Sequence, residues 1–133
     1  TKARELADAM IAEDIDVIAG SLNLGMLGVF EAVKNASKPV WVTAKYSDKS
    51  SFAPDNYVSS LLYDFAGPLK AIVGEIMAGT TGGYYPLGFD TGVSLQEPQH
   101  VSDEVAAKVK EVTDAVINGD IEVVKNIDPV EGQ

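Results

Sequence analysis

Short apolar runs of strand length alternate with amphipathic stretches of helical spacing along this chain, and that alternation is what most constrains its fold. Ala3, Leu6, Ala7, Met10 and Ile11 share one side of a helix, with Lys2, Arg4, Glu5 and Asp8 on the other. Asp14 to Gly20 supplies a strand, Ile15-Asp16-Val17-Ile18-Ala19, closed by glycine. Met26, Val29, Phe30 and Val33 mark a second helix ending near Asn35, and Pro39 to Ala44 reads as a second strand. After a polar loop from Lys45 to Asn56, Tyr57 to Ser60 offers another short strand. A third helix is expected over about Leu62 to Ala78, with Phe65, Leu69, Ile72, Val73 and Ile76 on one face. Its regular part should start late, because Pro68 is tolerated only in a first turn. Tyr84 to Phe89 and Gly92 to Leu95 look like strands around an Asp90-Thr91-Gly92 turn. Ser102 can cap a last helix whose buried stripe would be Val105, Val109, Val112 and Val116, stopped by Asn118-Gly119. Ile121 to Val124 reads as a terminal strand, and the acidic tail to Gln133 is expected to be mobile. Helices between strands provide the crossovers that parallel pairing requires. The expected fold is therefore α/β, a three-layer αβα arrangement around a mostly parallel sheet.

Composition narrows the function. The 20 acidic and 10 basic residues give a formal charge of −10, which repels phosphate backbones and argues against a nucleic-acid partner. With no cysteine, a disulfide framework, a thiolate zinc site and a cysteine nucleophile are excluded. His100 is the only histidine; alone it cannot make a usual zinc site, no G-x-S-x-G elbow positions a serine, and it is expected to be structural or at the surface. The carboxylates are spread over helix faces, as on a solvated acidic surface. No apolar run approaches 18 residues. No catalytic constellation is visible and no cofactor is implied, so binding without chemistry is the expectation.

Two segments are candidates for a ligand site. Gly20-Ser-Leu-Asn-Leu-Gly25 lies between a strand and a helix, where open α/β sheets bind ligands, and its glycines and the next helix N-terminus suit an oxygen-rich partner. An ordinary tight βα turn has the same composition. Met26 and Leu27 stand where a phosphate-binding loop has Lys and Ser/Thr, so nucleotide hydrolysis is not supported. Tyr46, Ser47, Asp48 and Lys49 follow the second strand, where Asp48 can accept hydrogen bonds from sugar hydroxyls or a base edge; a solvated polar loop is the plainer reading. Asp55 and Asn56 fit a turn, and Trp41 and the Tyr84-Tyr85 pair are compatible with either core or stacking roles.

Five stretches, in order, resemble the basic-membrane-lipoprotein family of ABC-transporter solute receptors, which includes purine nucleoside receptors. They are "ARELADAMIAEDIDVIAGS", "LGVFEAVKNASKPVWV", "YSDKSSFAPDNYVSSLLYDF", "GYYPLGFDTGVSL" and "VSDEVAAKVKEVTDAVINGDIEV", the last similar to the family's closing I-x-G-x-I-x-V pattern. The resemblance implies a class I periplasmic-binding-protein-like fold and a two-lobed receptor that closes on a nucleoside or similar small polar solute. It also implies a lipoprotein anchor outside the cytoplasmic membrane and delivery to an ABC permease. By position, Gly20, Ser21, Asn23, Tyr46, Asp48 and Tyr63 would face the ligand. Three departures stand out: Tyr46 replaces the first aspartate of the family's D-S-D pattern, Tyr63 replaces the lysine of its S-x-x-K stretch, and Ser21-Leu22-Asn23-Leu24 replaces its run of glycines. Residues 1–82 would form most of the C-terminal lobe, and 83–133 the cross-over strands, closing helix and terminal strand. A first lobe, or a partner in a homo-oligomer, is expected to cover exposed strand edges and the apolar side of the first helix. The alternative on the same architecture is the ligand-sensing domain of a transcription regulator.

Overall fold

The computed structural model describes residues 1–124, and the acidic tail lies outside them. Helix α1 (Lys2–Ala12) leads into strand β1 (Val17–Ala19), helix α2 (Met26–Lys34) and strand β2 (Trp41–Tyr46). A 3₁₀ turn (Ser50–Phe52) precedes strand β3 (Tyr57–Tyr63), followed by helix α3 (Ala66–Met77), strand β4 (Val93–Leu95) and helix α4 (Asp103–Ile117). The sheet order is β1-β2-β3-β4. The first three strands run parallel and β4 is antiparallel to β3, so the expected mostly parallel α/β sheet is present.

The core lies on one face of this sheet. Ile18 pairs with Val42 and Val42 with Tyr57, which sets three buried side chains side by side across β1, β2 and β3. Met26, Val29, Phe30 and Val33 of α2, spaced at helical intervals, are buried in the same cluster. Helix α1 packs on α2 through buried Ala7 and a close approach at Gly28, where a Cβ would meet Thr1 Oγ1 at 2.5 Å and the Arg4 amide nitrogen at 2.9 Å. The crossover over residues 47–56 contains no α-helix, yet it covers the same face. Phe52 stacks on Phe30 with ring centroids 5.6 Å apart and planes 5° from parallel, and Asn56 Nδ2 donates to the Val40 carbonyl at 2.9 Å. Val42 pairs with Tyr57 but Thr43 with Ser59, so Val58 is an extra residue in a bulge.

The chain departs from its sequence reading in several places. Strand β3 continues past Ser60 through Tyr63, taking Leu62 and Tyr63 from the expected third helix. The cause is Asp64, whose Oδ1 accepts from the Ala66 N–H at 2.8 Å and Oδ2 from the Gly67 N–H at 3.3 Å, so α3 begins at Ala66 with Pro68 in its first turn. Residues 84–89 form no strand. The Thr91 hydroxyl donates to the Pro86 carbonyl at 2.7 Å and accepts from the Gly88 N–H at 2.8 Å, which folds the segment into a turn. Residues 121–124 form no strand either, because the N–H groups of Asp120 and Ile121 turn back to the Ala115 carbonyl at 2.8 and 3.1 Å. The valine stripe of α4 is not buried: Val105 and Val112 are exposed, Val109 and Val116 half-buried.

The second face of the sheet is thinly covered. Tyr63 and Val93 pair across β3 and β4, and Leu61 shares their face. These residues look toward Val116 and Ile117 of α4 across an open trough of about 480 Å³. Among the described residues Val17 on this face, Leu6 and Met10 on α1, and Leu69 and Ile76 on α3 remain exposed, and β1 is an open edge.

Candidate ligand-binding site

The carboxyl ends of β1, β2 and β3 converge on one rim, since the three strands are parallel. Gly20 sits on this rim. Its N–H donates to the Thr43 carbonyl at 3.0 Å, extending the β1–β2 ladder, and a Cβ at this position would lie 2.2 Å from Met26 Sδ. Packing of Met26, itself buried, thus accounts for this glycine. Gly20 and Ser21 line an open trough of about 410 Å³ with Thr43, Lys45, Ser59 and Leu61. Asn23 is exposed, and its carbonyl accepts the Met26 N–H at 3.1 Å. The Leu27 and Gly28 N–H groups bond to the Leu24 and Gly25 carbonyls at 3.2 and 3.0 Å. The first amides of α2 are therefore engaged by their own turn rather than directed at the rim, contrary to the expectation for this helix N-terminus.

The structure brings Tyr46 and Tyr63 together at the ends of β2 and β3, with ring centroids 5.2 Å apart and planes tilted by 45°. Phe65 extends the contact, stacking on Tyr63 at 5.7 Å and 24°. The three rings form a ladder along the rim, with Tyr46 and Phe65 exposed at its ends and Tyr63 half-buried between them. Tyr46 has φ 78°, in the left-handed region that a bulky aromatic residue seldom enters, and such strain costs on the order of 1–3 kcal/mol. In the regular pleat Tyr46 would share the face of Leu62, opposite Tyr63; the left-handed turn lets its ring swing over to Tyr63. Sequence reasoning placed Phe65 on a helix face and missed it. The available signal was Asp64, a helix-capping residue that leaves Phe65 at the junction of β3 and α3.

Asp48 is not part of the ladder. Its Oδ1 accepts the Ser50 N–H at 2.8 Å, closing the turn that starts the crossover. The Ser50 backbone bond, then the Ser50 and Gln96 side chains, hold its carboxyl below the usual carboxylate range. Gln96 ties this loop to the sheet: its side-chain oxygen accepts from the Tyr57 hydroxyl, and its carbonyl accepts from Ser59 Oγ at 2.7 Å. Burial pushes the Tyr57 phenol up. Ser60 Oγ is buried and makes no hydrogen bond of ordinary geometry, although it lies near enough to the Tyr57 hydroxyl to oppose that rise. His100 stands away from the rim, its ring stacked on Trp41 at 5.6 Å and its Nε2 2.7 Å from the Pro54 carbonyl, a structural contact as the sequence suggested. Among the described residues no three histidine, cysteine or acidic side chains cluster to hold a metal. No described helix is long and apolar enough to cross a membrane.

A mostly parallel sheet with loops and aromatic side chains gathered at the carboxyl ends of its parallel strands is the architecture of an α/β domain of the periplasmic-binding-protein-like kind. Residues 1–127 match the family described as Bmp, ABC transporter substrate-binding protein PnrA-like, and the chain belongs to that family. It is 35% identical over 72 residues to Basic membrane protein B of Borreliella burgdorferi, covering 54% of this chain and 21% of that protein. Over 128 residues it is 24% identical to Basic membrane protein A of Borreliella afzelii, covering 92% of this chain and 39% of that protein. The chain thus spans less than two fifths of the length of these relatives.

Proposed function

We propose that this chain supplies one side of the binding cleft of a solute receptor that works outside the cytoplasmic membrane and delivers a nucleoside or similar small polar solute to an ABC permease. Family membership supports a substrate-binding role. The observation that carries the reading to a site is the meeting of Tyr46 and Tyr63 on the carboxyl rim. Gly20, Ser21 and Asn23 border the ligand from the β1–α2 loop. Asp48 supports the rim from the adjoining loop, with contact to the ligand through the carboxylate oxygen that Ser50 leaves open. The exposed apolar residues of α1 and α3 and the open edge of β1 favour completion of the receptor by a further lobe or a second copy of the chain. A lipoprotein anchor goes with this reading. Calorimetric titration with nucleosides, nucleobases and sugars tests it. Saturable binding of one class without turnover is expected; chemical conversion of any of them overturns the receptor reading.

A further inference from the structure

Gln96, the residue that follows β4, ties separate parts of the fold together. Its N–H donates to the Ser60 carbonyl at 3.0 Å and its carbonyl accepts from Ser59 Oγ at 2.7 Å, so its main chain is fixed to β3. Its side chain reaches the crossover loop. Oε1 accepts from the hydroxyl of Tyr57, a buried ring at the start of β3, and the amide also bonds the Asp48 carboxylate. These two partners set the orientation of the amide. An ionised carboxylate only accepts, so it takes Nε2–H, which leaves Oε1 for the phenol. Glutamine suits this place because one end donates while the other accepts; glutamate would set a second acceptor against Asp48. The following residues hold the same region. The Gln99 N–H donates to the Val58 carbonyl at 2.8 Å, and His100 Nε2 lies 2.7 Å from the Pro54 carbonyl. The ammonium next in the chain, Lys49, is bonded to Ser47 Oγ at 2.8 Å, so Asp48 is set by Ser50 and Gln96.

We propose that Gln96 is a positioning residue of the ligand site, its amide clasping the Asp48 loop to the sheet so that the carboxylate is held at the rim before a ligand arrives. The proposal rests on the receptor reading above. A carboxylate has about four acceptor positions. Asp48 therefore keeps capacity for a ligand donor after Ser50 and Gln96 are served. A loop held in place beforehand costs the ligand no ordering, which is how a residue without ligand contact raises affinity.

The test joins a ligand-free measurement to a binding one. The ¹³C resonance of the Asp48 carboxyl, followed against pH in the whole chain, reports the clasp directly. In Gln96→Ala it should titrate higher than in the parent, because a donor that favours the charged form is gone, yet still below the ordinary range through Ser50. In Gln96→Glu two carboxylates share a proton, so Asp48 should titrate in two separated steps. The Tyr57 phenol, pushed up by burial, stays neutral throughout. Calorimetry with inosine, adenosine, hypoxanthine and ribose then reads binding. Gln96→Ala should weaken the probe that binds by about 3- to 10-fold, the range of one ordinary hydrogen bond. Gln96→Glu should weaken it at least as much at neutral pH and recover once the shared proton restores a donor to Asp48, whereas Gln96→Ala does not recover. An Asp48 titration left in place by Gln96→Ala overturns the clasp. Unchanged probe affinity in that variant, or equal weakening by both variants at every pH, overturns the positioning role and leaves the receptor reading standing. Gln96→Glu keeps an acceptor for the Tyr57 hydroxyl, so it carries the test if Gln96→Ala fails to fold: a single Asp48 step, or parent affinity at neutral pH, is then the overturning result. Binding of none of the probes removes both readings.

Discussion

Gly92 offers a way to test how the rim is held, because two separable costs meet at one residue. It lies in the turn before β4 with φ +114°, a conformation L side chains rarely adopt. A Cβ there would sit 2.5 Å from the Asp64 carbonyl oxygen and 2.9 Å from Pro68 Cγ. The Gly92 carbonyl in turn accepts the Asp64 N–H at 2.7 Å, so strand β4 is locked against the residue between Tyr63 and Phe65. Gly92→Ala should lose about 1–2 kcal/mol for the positive φ and a further ~1–3 kcal/mol for forcing backbone apart, or roughly 2–5 kcal/mol in total. Gly79 is the internal control. It has φ +100°, and a Cβ there would meet nothing within 4 Å, so Gly79→Ala should lose only the first, ~1–2 kcal/mol. Urea unfolding of both variants against the parent gives the difference, and the Tyr63 ring resonances report whether the ladder shifts with Gly92→Ala. Equal destabilisation by the two substitutions, with unmoved Tyr63 resonances, would refute the idea that Gly92 is needed for close packing at the rim.

Three further outcomes follow from the core and the adjoining loop. Phe30→Ala removes a ring that is 1% exposed and stacked on Phe52, and should cost about 3–5 kcal/mol by urea unfolding; a loss under about 1 kcal/mol would mean the crossover loop does not depend on that stack. Ser60→Ala removes a buried hydroxyl with no bonded partner and should leave stability unchanged or raise it by up to about 1 kcal/mol, whereas a clear loss would expose an unrecognised hydrogen bond. The Asp48 carboxyl titrates below its ordinary value of 3.8, so its stabilising bond to Ser50 is complete above that value and is lost as pH falls through the lower folded one. The thermal midpoint of Asp48→Asn should therefore trail the parent at neutral pH and converge with it in acid, and a gap that persists at the lowest pH would assign the effect to packing.

What was legible in the sequence is what local pattern determines. The helical spacing of Met26, Val29, Phe30 and Val33 identified the helix that fills the core, and Val42 and Ala44 identified the strand beneath it. Pro68 correctly argued for a late start to α3. The failures have a common cause, that burial and pairing depend on partners distant in the chain. Leu62 and Tyr63 fit a helix start as well as a strand end, and pairing of Leu62 with Tyr46 on β2 and of Tyr63 with Val93 on β4 decides the matter. The valines of α4 have helical spacing, but spacing alone does not supply a surface to pack on. At the site, resemblance placed Tyr46 and Tyr63 at one rim, but it could not show that their rings touch or that Phe65 joins them.

The glycine loop shows why residue type and role come apart at such a rim. Gly20-Ser-Leu-Asn-Leu-Gly25 suggested amides held open for a ligand, yet the Gly20 N–H completes a sheet ladder, the Met26, Leu27 and Gly28 N–H groups close their own turn, and the space beside Gly20 Cα belongs to Met26. The N–H groups of Ser21 to Gly25 between them bond to no described backbone carbonyl, so the donors this loop keeps lie in its middle and not at its two ends. The side chains gathered at the carboxyl ends of β2 and β3 are aromatic. Backbone amides would favour an anion or a polyol; rings favour a flat face. The rim thus sets the unbonded amides of Ser21 to Gly25 beside the rings of Tyr46, Tyr63 and Phe65, and substitution of Tyr63 separates what each contributes.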